Sequence, residues 1–194
     1  LLPLKVQAAL WAAGFAAVAA MVASAALFVA RRSERGWDDV TAPPVTTWDR
    51  LAWVALAAVP SGLCVAVTSY ITTDVAAAPF LWVVPLGLYL LTFVAVFRDR
   101  PWISKASVTL LLPILMAPLS VGLLGGERIF WLPMIVLNLA VFLLMALLCH
   151  GALYDRRPDP ARLTEFYLWV AFGGVIGGAF AALLAPLLFN GIYE

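Results

Sequence analysis

Residues 51–97, LAWVALAAVPSGLCVAVTSYITTDVAAAPFLWVVPLGLYLLTFVAVF, form an apolar stretch in which Asp74 is the only charged residue. A single α-helix of this length would measure about 70 Å, because each residue advances the helix by about 1.5 Å. The hydrocarbon core of a membrane is about 30 Å thick. The stretch therefore predicts two membrane-spanning helices, at about residues 51–70 and 79–97, with the chain reversing near residues 71–78.

The overall composition also indicates a membrane protein. Hydrophobic residues make up 64% of the 194 residues, and charged residues make up 12%. A soluble domain is about half apolar and about a quarter charged, so membrane lipids are the expected partners of most of this chain. The net charge of +1 argues against binding to nucleic acid. The two cysteines, Cys64 and Cys149, lie in apolar stretches and predict neither a disulfide nor a metal site.

Four further apolar stretches have the length of a membrane span. They lie at about residues 8–30, 104–124, 129–148 and 166–189. With the two helices above, they predict an all-α, polytopic transmembrane helix bundle of about six spans that forms a single domain over residues 1–194. Residues 31–50 are the longest polar segment and predict a cytoplasmic linker, with Trp48 and Trp53 at the membrane interface where the linker ends.

The Lys and Arg residues are concentrated in alternate loops between the predicted helices. When the loops are numbered along the six predicted helices, ten of the twelve Lys and Arg residues fall on one side of the membrane and two on the other. Cytoplasmic loops carry an excess of Lys and Arg, so the first, third and fifth loops are expected in the cytoplasm. Both ends of the chain are then expected on the outer side.

Thr72, Thr73 and Asp74 are the polar residues at the predicted reversal. Threonine and aspartate are good helix-capping residues, and Pro79 suits the first turn of the following helix. A structural cap is the favoured interpretation, because Asp74 falls at the outer interface once the helix of residues 51–70 has crossed the membrane. The alternatives are binding of a ligand or ion and contact with a partner subunit, since an acid within hydrocarbon is a functional candidate.

His150 and Glu165 are further candidates for ligand binding or polar contacts. His150, the only histidine, is expected at the cytoplasmic end of the helix of residues 129–148, where a cation complements the helix dipole. A single histidine can also ligate a pigment or a haem iron, although no metal-site spacing surrounds it. Glu165 is expected to pair with Arg162 or His150, and a proton relay is the alternative for this carboxyl group.

The glycines of GGVIGG, residues 173–178, are spaced for helix packing. Gly173 with Gly177, and Gly174 with Gly178, form two overlapping GxxxG pairs, which let another helix approach closely in a membrane. The spacing leaves open whether that helix belongs to this chain or to another subunit. The sequence contains no catalytic set and no phosphate-binding loop, so no catalytic residue, metal or cofactor is predicted.

Two blocks of sequence carry a resemblance to a known family. They are VPSGLCVAVTSYITTDVAAAPFLWVVPLGLYLLTF (Val59–Phe93) and LLCHGALYDRRPDPARLTEFYLWVAFGGVIGGAFAALLAPLLF (Leu147–Phe189), together with the closing GIYE. These blocks resemble the membrane part of bacterial spermidine synthase-like proteins, in which a transporter-like membrane region is fused to a synthase-like domain. The resemblance implies a multi-pass protein of the bacterial inner membrane. It also implies that this chain is a piece of a longer protein with a Rossmann-like transferase domain.

Three functions are consistent with these features. Small-residue packing faces and scarce charge within the spans favour a non-catalytic scaffold or accessory subunit that packs with other membrane protein subunits. Prolines within the spans and the polar patch TSYITTD favour a transporter-like domain that binds a small molecule or polyamine. The resemblance allows a third function, the membrane anchor of a transferase whose soluble domain lies outside this chain. Enzymatic activity of the whole protein is therefore undecided.

Overall fold

The computed structural model describes residues 6, 12–17, 19–21, 23–24, 27, 44–74, 82–97, 104–125 and 131–189, with the backbone only for residues 73, 74, 124 and 125. Among these residues the regular structure is entirely helical, which confirms the predicted all-α class. The chain divides into two compact units, residues 1–41 and 42–194. In the first unit, Ala12–Met21 is a short apolar helix. About half of the predicted span at residues 8–30, and most of the predicted linker at residues 31–50, lies outside the described residues.

The described part of the second unit is built from helices that run in sequence along the chain. They are α1 (Thr47–Asp74), α2 (Val83–Val96), α3 (Lys105–Gly125), α4 (Trp131–Asp155), α5 (Leu163–Ala179) and α6 (Ala185–Leu188). A 3-10 turn at Pro160–Arg162 precedes α5, and a π-helical turn at Phe180–Leu184 joins α5 to α6.

Four helical segments of the described chain are long and apolar enough to cross a membrane. They are Thr47–Thr72, Lys105–Leu123, Trp131–Asp155 and Pro160–Leu188. The 14 residues of α2 extend about 21 Å, which is less than the thickness of the hydrocarbon core. Residues 79–81, where the helix containing α2 was expected to begin, lie outside the described part. Several crossings are thus supported by the structure, and the count of six stays a prediction.

The start of α1 is fixed by a capping box. The backbone N–H of Thr46 and its hydroxyl both donate to Oδ2 of Asp49, at 2.9 Å and 2.6 Å, and the N–H of Asp49 donates to Oγ1 of Thr46 at 3.2 Å. These bonds satisfy amide groups that a helix leaves free in its first turn. The helix therefore begins at Thr47 and not at residue 51, because the cap lies upstream of the apolar run.

The end of α4 also differs from the prediction. The expected end near residue 148 is wrong, since the helix continues through Gly151 to Asp155. Leu153 is fully buried in a cluster with Trp53 and Phe166, so the apolar face of α4 extends one further turn. Trp53, expected at the membrane interface, is itself only 2% exposed, and its ring meets that of Phe166 edge-on at 5.2 Å.

α4 lies at the centre of the described helices and packs on α1, α2 and α3. The main partner of α1 is α5, and α2 packs more extensively on α4 than on α1. The close hairpin expected between the helices of residues 51–70 and 79–97 is therefore not the dominant contact of either helix. The reason is the glycine face of α5, which offers α1 a closer approach than the bulkier side chains of α2.

Glycines bring the backbones of α1 and α5 together. A Cβ atom placed on Gly173 would lie 2.9 Å from Cα of Val54, and one on Gly177 would lie 2.8 Å from Cα of Ala58. Both distances are shorter than a van der Waals contact, so only glycine fits at either position. The second GxxxG pair, Gly174 and Gly178, faces Ser61 on α1. The helix that the GxxxG motif binds therefore belongs to this chain.

We call the contact of Gly173, Gly174, Gly177 and Gly178 with residues 54–62 of α1 the glycine seam. A hydroxyl group adds a hydrogen bond to this seam. Ser61 donates from Oγ to the carbonyl oxygen of Gly174 at 2.8 Å. Within lipid, helices associate through close packing and such interhelical bonds, because apolar burial alone gives little advantage. The seam thus supplies the forces that hold α1 on α5.

We expect Gly177→Ala to destabilise the protein, because the new methyl group must displace the backbone of α1 at Ala58. Overpacking of this kind costs about 1–3 kcal/mol. Thermal unfolding of the full chain in detergent micelles, followed by far-UV circular dichroism, measures the effect. Gly87→Ala is the matched control, since nothing lies within 4 Å of the corresponding Cβ position. Equal unfolding temperatures for the two variants would contradict the packing role of the seam.

Candidate functional site

His150 is buried inside α4 and does not lie at a helix end. His150 is 0% exposed, and the helix continues for five more residues to Asp155. The expectation that its charge complements the helix dipole at the terminus is therefore wrong. Instead, its imidazole ring faces α2, where it is enclosed by Thr92, Tyr89 and Phe93.

A hydrogen bond to Thr92 sets which ring nitrogen of His150 carries a proton. Oγ1 of Thr92 lies 2.6 Å from the carbonyl oxygen of Tyr89 and 2.8 Å from Nδ1 of His150. The carbonyl oxygen can only accept, so the single hydroxyl proton of Thr92 is donated to Tyr89. Nδ1 of His150 must then be the donor to Oγ1. In the neutral ring, this leaves Nε2 without a proton and with its lone pair free.

Aromatic rings surround the imidazole of His150. The ring of Phe93 is tilted by 31° at a centroid distance of 3.8 Å, and the ring of Tyr89 meets it edge-on at 5.2 Å. Nε2 is buried and has no hydrogen-bond partner among the described residues. Such a nitrogen can accept a hydrogen bond or coordinate a metal that brings its other ligands with it. No group of three or more His, Cys, Asp or Glu residues in the described chain could hold a metal ion.

Glu165 forms an ion-pair network at the start of α5. Its Oε1 accepts from Nε of Arg50 at 2.8 Å and lies 2.7 Å from Nη2 of the same residue. Its Oε2 lies 3.6 Å from Nη1 of Arg162, so the pairing predicted with Arg162 is confirmed. The alternative pairing with His150 does not form. Arg50 was missed because 115 residues separate it from Glu165, and no local pattern in the sequence connects them.

Thr72, Thr73 and Asp74 are part of α1 and do not start the following helix. The hydroxyl of Thr72 donates to the carbonyl oxygens of Thr68 and Ser69, at 2.9 Å and 3.0 Å. This bonding within its own helix corrects the prediction that Thr72 caps the helix after the reversal. The backbone of Thr73 and Asp74 continues α1 to its last residue. The cap or ligand role of their side chains stays a prediction.

The structure does not bring the candidate polar residues into one site. Arg50, which binds Glu165, and Asp74 lie near opposite ends of α1, about 36 Å apart along the helix axis. His150 contacts α2, which takes no part in the Glu165 network. The buried imidazole of His150 is therefore the one candidate whose described surroundings leave a functional atom unpaired.

The described helices define a class of protein, an all-helical chain with several helices able to insert into a membrane. Comparison with protein-family models, curated proteins and solved structures finds no match for this chain. The resemblance to spermidine synthase-like proteins accordingly stays a prediction.

We expect Thr92→Val to destabilise the protein, because Nδ1–H of His150 would be left buried without an acceptor. An unsatisfied buried group of this kind costs about 1–3 kcal/mol. Thr92→Ser keeps the hydroxyl and should restore most of the loss in thermal unfolding. Thr109→Val is the control, because Thr109 is exposed and its hydroxyl bonds only to the carbonyl oxygen of Lys105. Equal effects at positions 92 and 109 would show that the bond to His150 contributes nothing.

Proposed function

We propose that this chain is a membrane-embedded, non-catalytic scaffold or accessory subunit that packs with other membrane proteins in the bacterial inner membrane. The observation that carries the proposal is that polar side chains within the described spans form hydrogen bonds with other groups of the same chain. Ser61 donates a hydrogen bond to a carbonyl oxygen of α5, and the hydroxyl of Thr92 is hydrogen-bonded to the imidazole of His150. The hydroxyls of Thr68 and Ser120 donate to carbonyl oxygens of their own helices. The first two bonds join different helices and the last two lie within one helix, so all four hydroxyl groups bond the chain itself.

The continuity of the helices also favours a packing role. Transporters build binding sites from broken spans. Here α1 continues through Pro60, and α3 continues through Pro113 and Pro118. The π-helical turn at Phe180–Leu184 changes the hydrogen-bond pattern of the last span without ending the helix. The spans thus keep continuous outer surfaces that other helices can contact.

Large apolar side chains on α3 and on the last span supply such surfaces. Among the described helices, α3 packs only on α4. Its residue Val121 is 72% exposed, and Leu187 of α6 is 79% exposed. Both side chains are available to acyl chains or to the helix of a partner subunit, because lipid tails and apolar side chains offer them similar surroundings.

A photo-crosslinking amino acid placed at Val121 tests the proposal in intact cells. We expect a crosslink to another membrane protein, recovered with the tagged chain after mild detergent extraction in fixed stoichiometry. The same substitution at Leu144, which is buried between α3 and α4, is the control and should give no crosslink to another chain. A lone, monodisperse chain without protein crosslinks at position 121 would contradict the subunit role.

The second candidate function is a transporter-like domain that binds a small molecule or polyamine. The unpaired Nε2 of His150 favours it, because an ionisable group buried in a membrane bundle is a functional candidate. A membrane anchor for a transferase rests on the sequence resemblance alone. Its test is whether the gene continues into a synthase-like domain.

Uptake of spermidine into proteoliposomes tests the second function. His150→Asn removes Nε2 while an amide group can still donate to Thr92, so we expect uptake to fall to background without loss of folding. Thr92→Ser retains the acceptor and should keep uptake. Unchanged uptake in His150→Asn would exclude the imidazole as a binding group.

A further inference from the structure

At the end of the bundle where α1 begins and α4 ends, the described acidic side chains already have polar partners. Each described carboxylate there already binds a cation or a backbone amide. The pairs are Glu165 with Arg50 and Arg162, Asp155 with Lys105, Asp49 with the amide of Thr46, and Asp159 with the amide of Ala161. Any further cation at this end therefore lacks a free carboxylate among the described residues.

Arg156 and Arg157 are two such cations, and both are exposed. Neither guanidinium group forms an ion pair with a described residue, and Arg156 interacts with the carboxylate of Asp49 only through longer-range electrostatics. Their backbone is held in place, because the carbonyl oxygen of Arg156 accepts from Nε1 of Trp53 at 3.1 Å. The guanidinium of Arg157 lies over the ring of Tyr154, with 4.9 Å from Cζ to the ring centroid. We call these two residues the arginine corner.

The arginine corner lies at the level of an aromatic interface residue. Trp48, in the first turn of α1, is 80% exposed. Trp53 lies five positions further along α1 and bonds directly to Arg156, so both tryptophans and both arginines share this end of the bundle. Exposed tryptophans favour the headgroup level of a membrane, where the apolar part of the ring contacts lipid and its N–H group contacts water. This end of the bundle therefore has the composition of a membrane–water interface.

We propose that the arginine corner binds the phosphate group of an anionic phospholipid. Guanidinium groups form paired hydrogen bonds with phosphate oxygens, and two adjacent guanidinium groups favour an anion over a zwitterionic headgroup. The contact with Tyr154 holds Arg157 in one orientation, which lowers the entropy cost of binding. The lipid would occupy a defined position beside α4 and the 3-10 turn, independent of whether the chain acts as a subunit or a transporter.

The full chain in detergent micelles is titrated with phosphatidylglycerol and, separately, with phosphatidylcholine of the same acyl chains, and bound lipid is counted by native mass spectrometry. We expect at least tenfold tighter binding of phosphatidylglycerol. Arg156→Gln and Arg157→Gln should each weaken that binding about fivefold, the effect of one basic residue near an anionic surface. The lysine variants at both positions keep the charge and should retain part of the affinity.

Arg128→Gln is the charge-matched control, since it removes one positive charge from the connection between α3 and α4 and should leave lipid binding unchanged. Far-UV circular dichroism verifies that each variant is folded. Equal binding of the two lipids, or an equal loss in Arg128→Gln and Arg157→Gln, would overturn the proposal. Inorganic phosphate forms a separate arm. If millimolar phosphate displaces phosphatidylglycerol, the corner is a site for soluble phosphate compounds and the lipid assignment is wrong.

Discussion

The glycine seam between α1 and α5 is the constraint on which the described bundle depends. It joins parts of the chain more than 100 residues apart, and no side chain larger than hydrogen fits at Gly173 or Gly177. Lipid offers apolar side chains as good an environment as another helix does, so close backbone approach and the Ser61 hydrogen bond must hold the helices together. Once α1 lies on α5, Arg50 reaches Glu165 and Trp53 reaches Phe166.

Polar groups are divided between the middle of the bundle and its end. Within the spans, the hydroxyl groups of Ser61, Thr68, Thr92 and Ser120 donate to backbone carbonyl oxygens, because an unbonded polar group in a low-dielectric interior is costly. The hydroxyl of Thr92 also bonds the imidazole of His150. At the end where α4 finishes, charges are partly exposed and pair in networks, as between Glu165 and Arg50. Nε2 of His150 and the two guanidinium groups of the arginine corner fall outside these ion pairs and hydrogen bonds.

Local sequence patterns predicted the helices well but not all of their ends. The span at residues 104–124 agrees with α3, since apolar length alone defines it. α1 begins upstream of its apolar run, because the capping box of Thr46 and Asp49 lies in polar sequence. The spacing of Thr46 and Asp49 is a local signal that could have identified this start. α4 runs past Gly151, because tertiary burial of Leu153 outweighs the helix-ending tendency of glycine.

The sequence by itself determined the all-helical class, the apolar lengths and the capacity of GGVIGG for close packing, because each depends on residues near one another in the chain. Only the tertiary structure decided that the partner of GGVIGG is α1 of this chain, that Glu165 binds Arg50, and that His150 is buried against Thr92. These contacts join distant segments. Which segments come into contact depends on which helix faces match in shape and hydrogen bonding. Such a match is seen only once the helices are packed.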